Sequence, residues 1–234
     1  MSGRRDELAG NLAQVRARIA DAAGRAGRSP EEVTLTVVTK FFPASDVRLL
    51  ADLGVRHVGE NRHQEAEAKA AECADLGLTW HFIGGLQSNK AAAVAAYADV
   101  VESVDRAKLL RGLSSGAHQR DHVVDVLVQV SLDTDPGDGG RAGVPPVDVE
   151  RLAEQVAATE GLRLRGVMAV APLGEDPLPA FAKLAEIAAS VRSIEPSATW
   201  ISAGMSGDLE AAVESGATHV RIGSAVLGSR PARR

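Results

Sequence analysis

Over the first 26 residues, apolar side chains recur at intervals of three and four, at Leu8, Leu12, Val15 and Ile19. That spacing predicts an amphipathic helix over residues 4–26, ended by Gly24 and Gly27, with Pro30 blocking continuation. The pattern then changes to VTLTVVTK (33–40), a β-branched run of a length suited to a buried strand. PASDVRLLADLG follows with helical spacing, starting near Ala44 or Ser45 and stopping at Gly54. This alternation continues along the chain. Strands are predicted at 56–59, 79–83, 98–103, 124–130, 162–170, 198–202 and 218–223. Helices are predicted near 61–72, 88–96, 105–117, 148–159, 177–193 and 207–215. Eight β/α units in about 200–250 residues predict an α/β protein built as a single (β/α)8 TIM-type barrel with an extra N-terminal helix. An open doubly wound sheet is fed by the same alternation and is the competing arrangement. No composition shift marks a second domain, so one barrel domain over 1–234 is expected. Residues 1–30 are its N-terminal helix and connection, 133–146 a long polar βα loop, and 231–234 a disordered tail.

Composition narrows the picture. Aromatic residues make up 3% of the chain, so the core is built from Ala, Val, Leu and Ile, and a nucleic-acid binder that works by stacking is disfavoured. The net charge of −5 argues against a general polyanion-binding surface, although a pocket for one phosphate needs oriented amides more than net charge. With one cysteine, Cys73, no intramolecular disulfide and no multi-thiolate metal site can form. The N-terminus lacks a signal-peptide pattern, and no window approaches the roughly 18 apolar residues of a membrane span. A cytoplasmic protein that binds neither membrane nor nucleic acid is expected.

Among the lysines, only Lys40 ends an apolar strand, where a barrel of this type places its active-site face. Partial desolvation there disfavours the ammonium and frees the amine for attack on a carbonyl. After the seventh predicted strand comes SAGMSGD (202–208), whose small residues admit a ligand close to the backbone. Its Ser202 and Ser206 hydroxyls can donate to phosphate oxygens, and Asp208 opens the next helix. After the eighth strand, Gly223 and Ser224 open a second turn of the same kind. Phosphate sites in these barrels often lie between those two loops. Asn61, in GENRHQE, can contact a ligand ring or cap the following helix. Arg221 lies in a strand that otherwise faces the core, and either pairs with a carboxylate such as Asp208 or contacts a ligand. Gly84 to Lys90 resembles a nucleotide-binding loop, but Asn89 and Ala91 break the pattern. The histidines form no convincing metal set, and the GxSxG elbow of acyl-transfer serines is missing.

Taken together, VVTKFFP, HVGENRHQE, WHFIGGLQSNK, RGVMAV and ISAGMSGDLEAAVESGATHVRIGSAVLG closely resemble the pyridoxal phosphate homeostasis protein family, which is similar to the N-terminal barrel of alanine racemase. The resemblance extends from the first helix to Gly228. It implies pyridoxal 5′-phosphate (PLP) as cofactor, held as a covalent aldimine on Lys40. It also implies a phosphate loop at Ser202, Gly204, Met205 and Ser206, a second at Gly223 and Ser224, and Arg221 against the pyridine nitrogen. Asn61 and His81 become pocket-side residues. The family's implied role is to buffer or deliver PLP, with PLP-dependent apo-enzymes as partners and a monomer or weak dimer as the working form. The alternative is a slow PLP-dependent amino-acid racemase. Racemisation needs two bases, and alanine racemase takes the second from another domain's tyrosine; the sole tyrosine here, Tyr97, is placed poorly for that. Phe41, Phe42, Ala203, Leu227 and Arg141 depart from the usual family pattern.

Overall fold

Eight short parallel strands alternate with helices and close on themselves in the computed structural model, which describes residues 2–133 and 142–229. The strands are β1 (Thr34–Val38), β2 (His57–Glu60), β3 (Thr79–Phe82), β4 (Val100–Val104), β5 (Val124–Gln129), β6 (Leu162–Met168), β7 (Trp200–Ser202) and β8 (His219–Ile222). Every predicted strand is present, its ends shifted by no more than two residues. Closure is made by β1 against β8, with Thr34 opposite His219 and Val37 opposite Ile222. An open doubly wound sheet would leave these edges unpaired, and that alternative is excluded.

The surrounding helices are α1 (Ser2–Arg25), α2 (Ala44–Asp52), α3 (His63–Glu72), α4 (Ala91–Ala95), α5 (Leu110–Gln119), α6 (Val149–Ala157), α7 (Pro177–Ile194), α8 (Leu209–Glu214) and α9 (Ser224–Leu227). The helix predicted at 88–96 is a 3-10 turn over Ser88–Lys90 that runs into the short α4. Most of the predicted 133–146 loop, including Arg141, lies outside the described residues, as does the 231–234 tail. The part of that loop described is not all irregular: Val144 pairs with Val130, and Pro146–Asp148 forms a 3-10 turn. Among the described residues no helix is long and apolar enough to cross a membrane.

Helix α1 packs across α8, α9 and α2, burying Leu8, Leu12, Val15 and Ile19 to 4% exposure or less. Removing such a side chain from water contributes about 1.5–3 kcal/mol. Polar anchors fix its orientation: Asn11 donates to the Val226 carbonyl, and Arg18 forks onto Glu210.

Along each strand, successive side chains alternate between helix layer and barrel interior. Outward positions such as Val58, Val101, Val126 and Val220 are fully buried against helices. The interior is different. Barrels of this kind usually fill it with branched apolar residues. Here Val100, Leu127 and Met168 fill part of it. A connected polar set, His57, His81, Glu102, Ser202, His219 and Arg221 from β2, β3, β4, β7 and β8, fills the rest. One irregularity shapes the wall. The β5–β6 register shifts between Val126 and Leu127, and Gly166 at this bulge takes φ 147°. A Cβ there would lie 1.9 Å from the Trp200 carbonyl oxygen. Gly166→Ala is therefore expected to lower the unfolding free energy by about 3 kcal/mol or more, through backbone strain and overpacking together. Urea denaturation measures it, and a loss under 1 kcal/mol would mean that β7 yields easily.

Candidate functional site at the barrel rim

The chain leaves β1 through Thr39 and Lys40 and turns back at Phe41, which is in the left-handed region at φ 71°. For a residue with a bulky side chain this conformation costs about 1–2 kcal/mol. Two carboxylates and a buried lysine hold the turn. The Thr39 hydroxyl donates to Glu60 Oε1 at 2.6 Å, and Phe41 N–H donates to Glu65 Oε1 at 2.6 Å. From α3, Lys69 Nζ donates to the Thr39 carbonyl (2.9 Å), Glu60 Oε1 (2.6 Å) and Glu65 Oε1 (3.1 Å). Burial pushes the Glu60 carboxyl above its ordinary value, against the pull of Lys69 and Thr39. Lys40 itself is half-buried and reaches over the Phe41 ring, its Nζ 6.0 Å from the centroid. Lys69 is a second buried amine, although its position within a helical pattern marks it as an ordinary helix residue. Its three hydrogens already have acceptors, so it is a structural cation rather than a nucleophile.

After β7, Gly204 (φ 90°) reverses the chain, and α8 packs so closely that a Cβ would meet Ala212 Cβ at 2.7 Å. Gly204 is needed for this turn and does not line the cavity beside it. Met205 is exposed, and its N–H donates to Asp208 Oδ1 at 2.6 Å. Asp208 is thus occupied in its own turn and does not form the direct ion pair with Arg221 that the sequence allows. Ser206 faces the turn after β8: its Oγ lies 3.3 Å from both Ser224 Oγ and the Ala225 amide.

Ser202 is elsewhere. It is fully buried and donates to Glu102 Oε2 at 2.6 Å, while Arg221 Nη1 donates to its Oγ at 2.7 Å. Both functions of the hydroxyl are taken inside the barrel, so it is not placed to bind phosphate. Arg221 Nη2 also donates to the Ala169 carbonyl at 2.8 Å, and Nη1 lies 3.8 Å from Glu102. On the other side of Glu102, His81 Nδ1 donates to Oε1 at 2.7 Å, and His81 Nε2 is 2.9 Å from His57 Nδ1. His81 therefore has both ring nitrogens engaged one layer below the rim and does not line the cavity. Burial opposes ionisation of Glu102, yet His81, Arg221 and Ser202 outweigh it and hold its carboxyl at about 2. Burial pushes the Arg221 guanidinium down from its ordinary value, and Glu102 and Asp208 counter it. Asn61 is half-buried in the turn between β2 and α3, also outside the cavity lining. It does not cap α3, whose capping position is Arg62.

Six of the ten residues singled out in the sequence do converge. Lys40, Met205, Ser206, Arg221, Gly223 and Ser224 line one cavity of about 320 Å³ at the C-terminal rim, walled by Phe41, Phe42, Val38 and Ile83. Its donors are an amine from β1, a guanidinium anchored below, and hydroxyls with Gly/Ser backbone from the last two βα turns. Sequence reasoning missed Glu60, Glu65, Lys69 and Glu102. For Glu60 and Glu102 the available signal was a charge inside an otherwise apolar strand, since a buried charge must find partners. Glu65 and Lys69 lie in the charged helix α3 and carried no such signal.

This barrel with its lysine after β1 belongs to the alanine racemase N-terminal domain family, whose model matches residues 10–231. Within that class the chain is one of the pyridoxal phosphate homeostasis proteins. The member from Mycobacterium tuberculosis H37Rv is 44% identical over 98% of this chain and 95% of its own length. The one from Escherichia coli K12 is 38% identical over 96% of this chain and 97% of its own. Among solved structures, PipY of Synechococcus elongatus PCC7942, determined with PLP bound, superposes with a TM-score of 0.82 at 36% identity. That match covers 94% of this chain and all of PipY. The cavity's donor set suits such a cofactor: an amine for its aldehyde, a cation for its ring nitrogen, and hydroxyl and amide donors for its phosphate.

Proposed function

We propose that this protein binds PLP as a Schiff base on Lys40 and serves cytoplasmic cofactor homeostasis, buffering PLP and releasing it to apo-enzymes. The observation that carries this reading is the meeting of Lys40 and Arg221 in one rim cavity with Ser206, Gly223 and Ser224. Its relatives named for PLP homeostasis, and PipY with PLP bound, support it. When bound, the cofactor supplies an aldehyde that condenses with the Lys40 amine, forming one C=N bond and releasing one water, and a ring able to act as an electron sink. Ser206 and Ser224 would hold the phosphate. Arg221, beside Glu102 and oriented by Ser202, would meet the ring nitrogen and disfavour its protonation, because two like charges in contact repel. That weakens the sink and favours storage over carbanion chemistry.

Racemase activity requires a second base on the opposite face of the substrate carbon. Tyr97 does not supply it: it is packed outside the barrel, stacked on His63 at 5.9 Å, and burial pushes its phenol further above its ordinary value. The test is a visible spectrum of purified protein with PLP before and after borohydride, followed by peptide mapping. A coloured adduct that becomes irreversibly fixed on Lys40, and a colourless Lys40→Ala variant, are expected. Colour retained in Lys40→Ala, or label on another lysine, overturns the assignment. Turnover of D- or L-alanine above the rate with free PLP, followed by optical rotation, would instead favour the racemase.

A further inference from the structure

We infer that Glu60, Glu65 and Lys69 are positioning residues that hold the Lys40 turn in its strained, binding-competent form. The inference rests on Lys40 as the attachment point and goes beyond it. Phe41, directly after Lys40, occupies a backbone region that bulky side chains avoid. Such strain persists only where the surroundings over-determine it, and it concentrates at functional sites. Here the over-determination is visible on both sides of Lys40. The residue before it, Thr39, is held through its hydroxyl by Glu60 and through its carbonyl by Lys69. The residue after it, Phe41, is held through its N–H by Glu65. Lys69 joins the two carboxylates, lying 2.6 Å from Glu60 and 3.1 Å from Glu65, and only 5% of it is exposed.

A simple packing role would not need this arrangement. A buried ion pair is weak evidence for stability, because desolvation of both charges offsets their attraction. What the group does achieve is to fix the peptide units on either side of one amine. Without it the turn can relax toward ordinary backbone angles, and Lys40 points into the cavity only part of the time. The apparent dissociation constant for PLP then rises by the inverse of the competent fraction.

Glycine adopts positive φ without the steric conflict that Phe41 meets, so substitution at that position separates positioning from folding. Glu65→Ala removes the acceptor for Phe41 N–H while leaving the Lys69–Glu60 pair. It is expected to weaken PLP binding about tenfold, equivalent to about 1.4 kcal/mol, read by absorbance titration of the full chain. Glu65→Gln keeps an acceptor oxygen and should stay within about threefold of wild type, about 0.65 kcal/mol at most. Because Phe41 also walls the cavity, Phe41→Gly alone sets the reference, and adding Glu65→Ala to it should cost less than about threefold in affinity. Lys69→Met, which strips the link between the carboxylates and leaves the buried Glu60 without its cation, should lose stability as well as PLP affinity. Wild-type affinity in folded Glu65→Ala, or an about tenfold loss from Glu65→Ala that persists in the Phe41→Gly background, overturns this inference alone. A wild-type chain that takes up no PLP overturns the proposed function and this inference together.

Discussion

Replacing Glu102 with leucine is expected to lower the unfolding free energy by about 3–5 kcal/mol, the usual consequence of removing one partner from a buried charged pair. The reason lies in what the substitution strands. Arg221 is 4% exposed, with the Glu102 carboxylate 3.8 Å away, and Ser202 and His81 each give a hydrogen bond to the same carboxylate. Leucine leaves a hydroxyl and an imidazole N–H in the barrel interior without their acceptor, and a guanidinium without its countercharge. Glu102→Gln keeps the shape and one acceptor, so it should lose less stability while still removing the countercharge. Urea denaturation of the apo chain gives both values. PLP binding should weaken in both variants, because Arg221 is held in the cavity from below by this group. A stability loss under 1 kcal/mol for Glu102→Leu would show that the network contributes little.

Acidification should destabilise the apo protein earlier than carboxylate protonation alone would. Burial, helped by the neighbouring His81, depresses His57 from 6.5 to about 4. Burial likewise depresses His219 to about 3, with Glu102 opposing and His81, His57 and Arg165 assisting. Between pH 6.5 and those values the unfolded chain takes up protons that the folded chain refuses, so stability falls as pH falls. Glu102, held at about 2, acts in the same direction, but its share is lost only below its unfolded value of 4.5. Well below its unfolded pKa, a histidine that stays neutral when folded loses about 1.4 kcal/mol of folding free energy per pH unit. Solvent screening reduces the share of the partly exposed His57. The expected loss between pH 7 and pH 4.5 is about 3 kcal/mol, measured from urea midpoints at the two values. His219→Gln should remove most of its own share of the slope. Unchanged stability across that window would place both rings in a more solvated setting than the barrel interior provides.

Much of the fold was legible because periodicity records which face of each element meets water. Leu8, Leu12, Val15 and Ile19 predicted α1, and the β-branched VTLTVVTK with the strand–helix alternation after it predicted all eight strands. The cavity was partly legible for a related reason. Lys40 ends a buried strand, and Ser206, Gly223 and Ser224 lie in small-residue turns where loop chemistry differs from ordinary closure. The polar interior was not legible in the same way. His81 and Ser202 read as pocket residues, yet their hydrogen-bonding atoms are committed to Glu102 and its neighbours. Nothing local to ADVVES indicates that Glu102 lies across the barrel from Ser202, a partner 100 residues away in the chain.

The sequence by itself determined the element order and the place of Lys40 at the end of the first strand, since these follow from near-neighbour spacing along the chain. Closure into a barrel rather than an open sheet was decided by the β1–β8 pairing. Tertiary structure alone decided which polar groups face each other: Arg221 over Ser202 and Glu102, and Lys69 beneath the Lys40 turn. Closing the sheet joins β1 to β8 and brings distant strands within hydrogen-bond reach. Buried charges must then be matched in space, and spacing along the chain does not encode that matching.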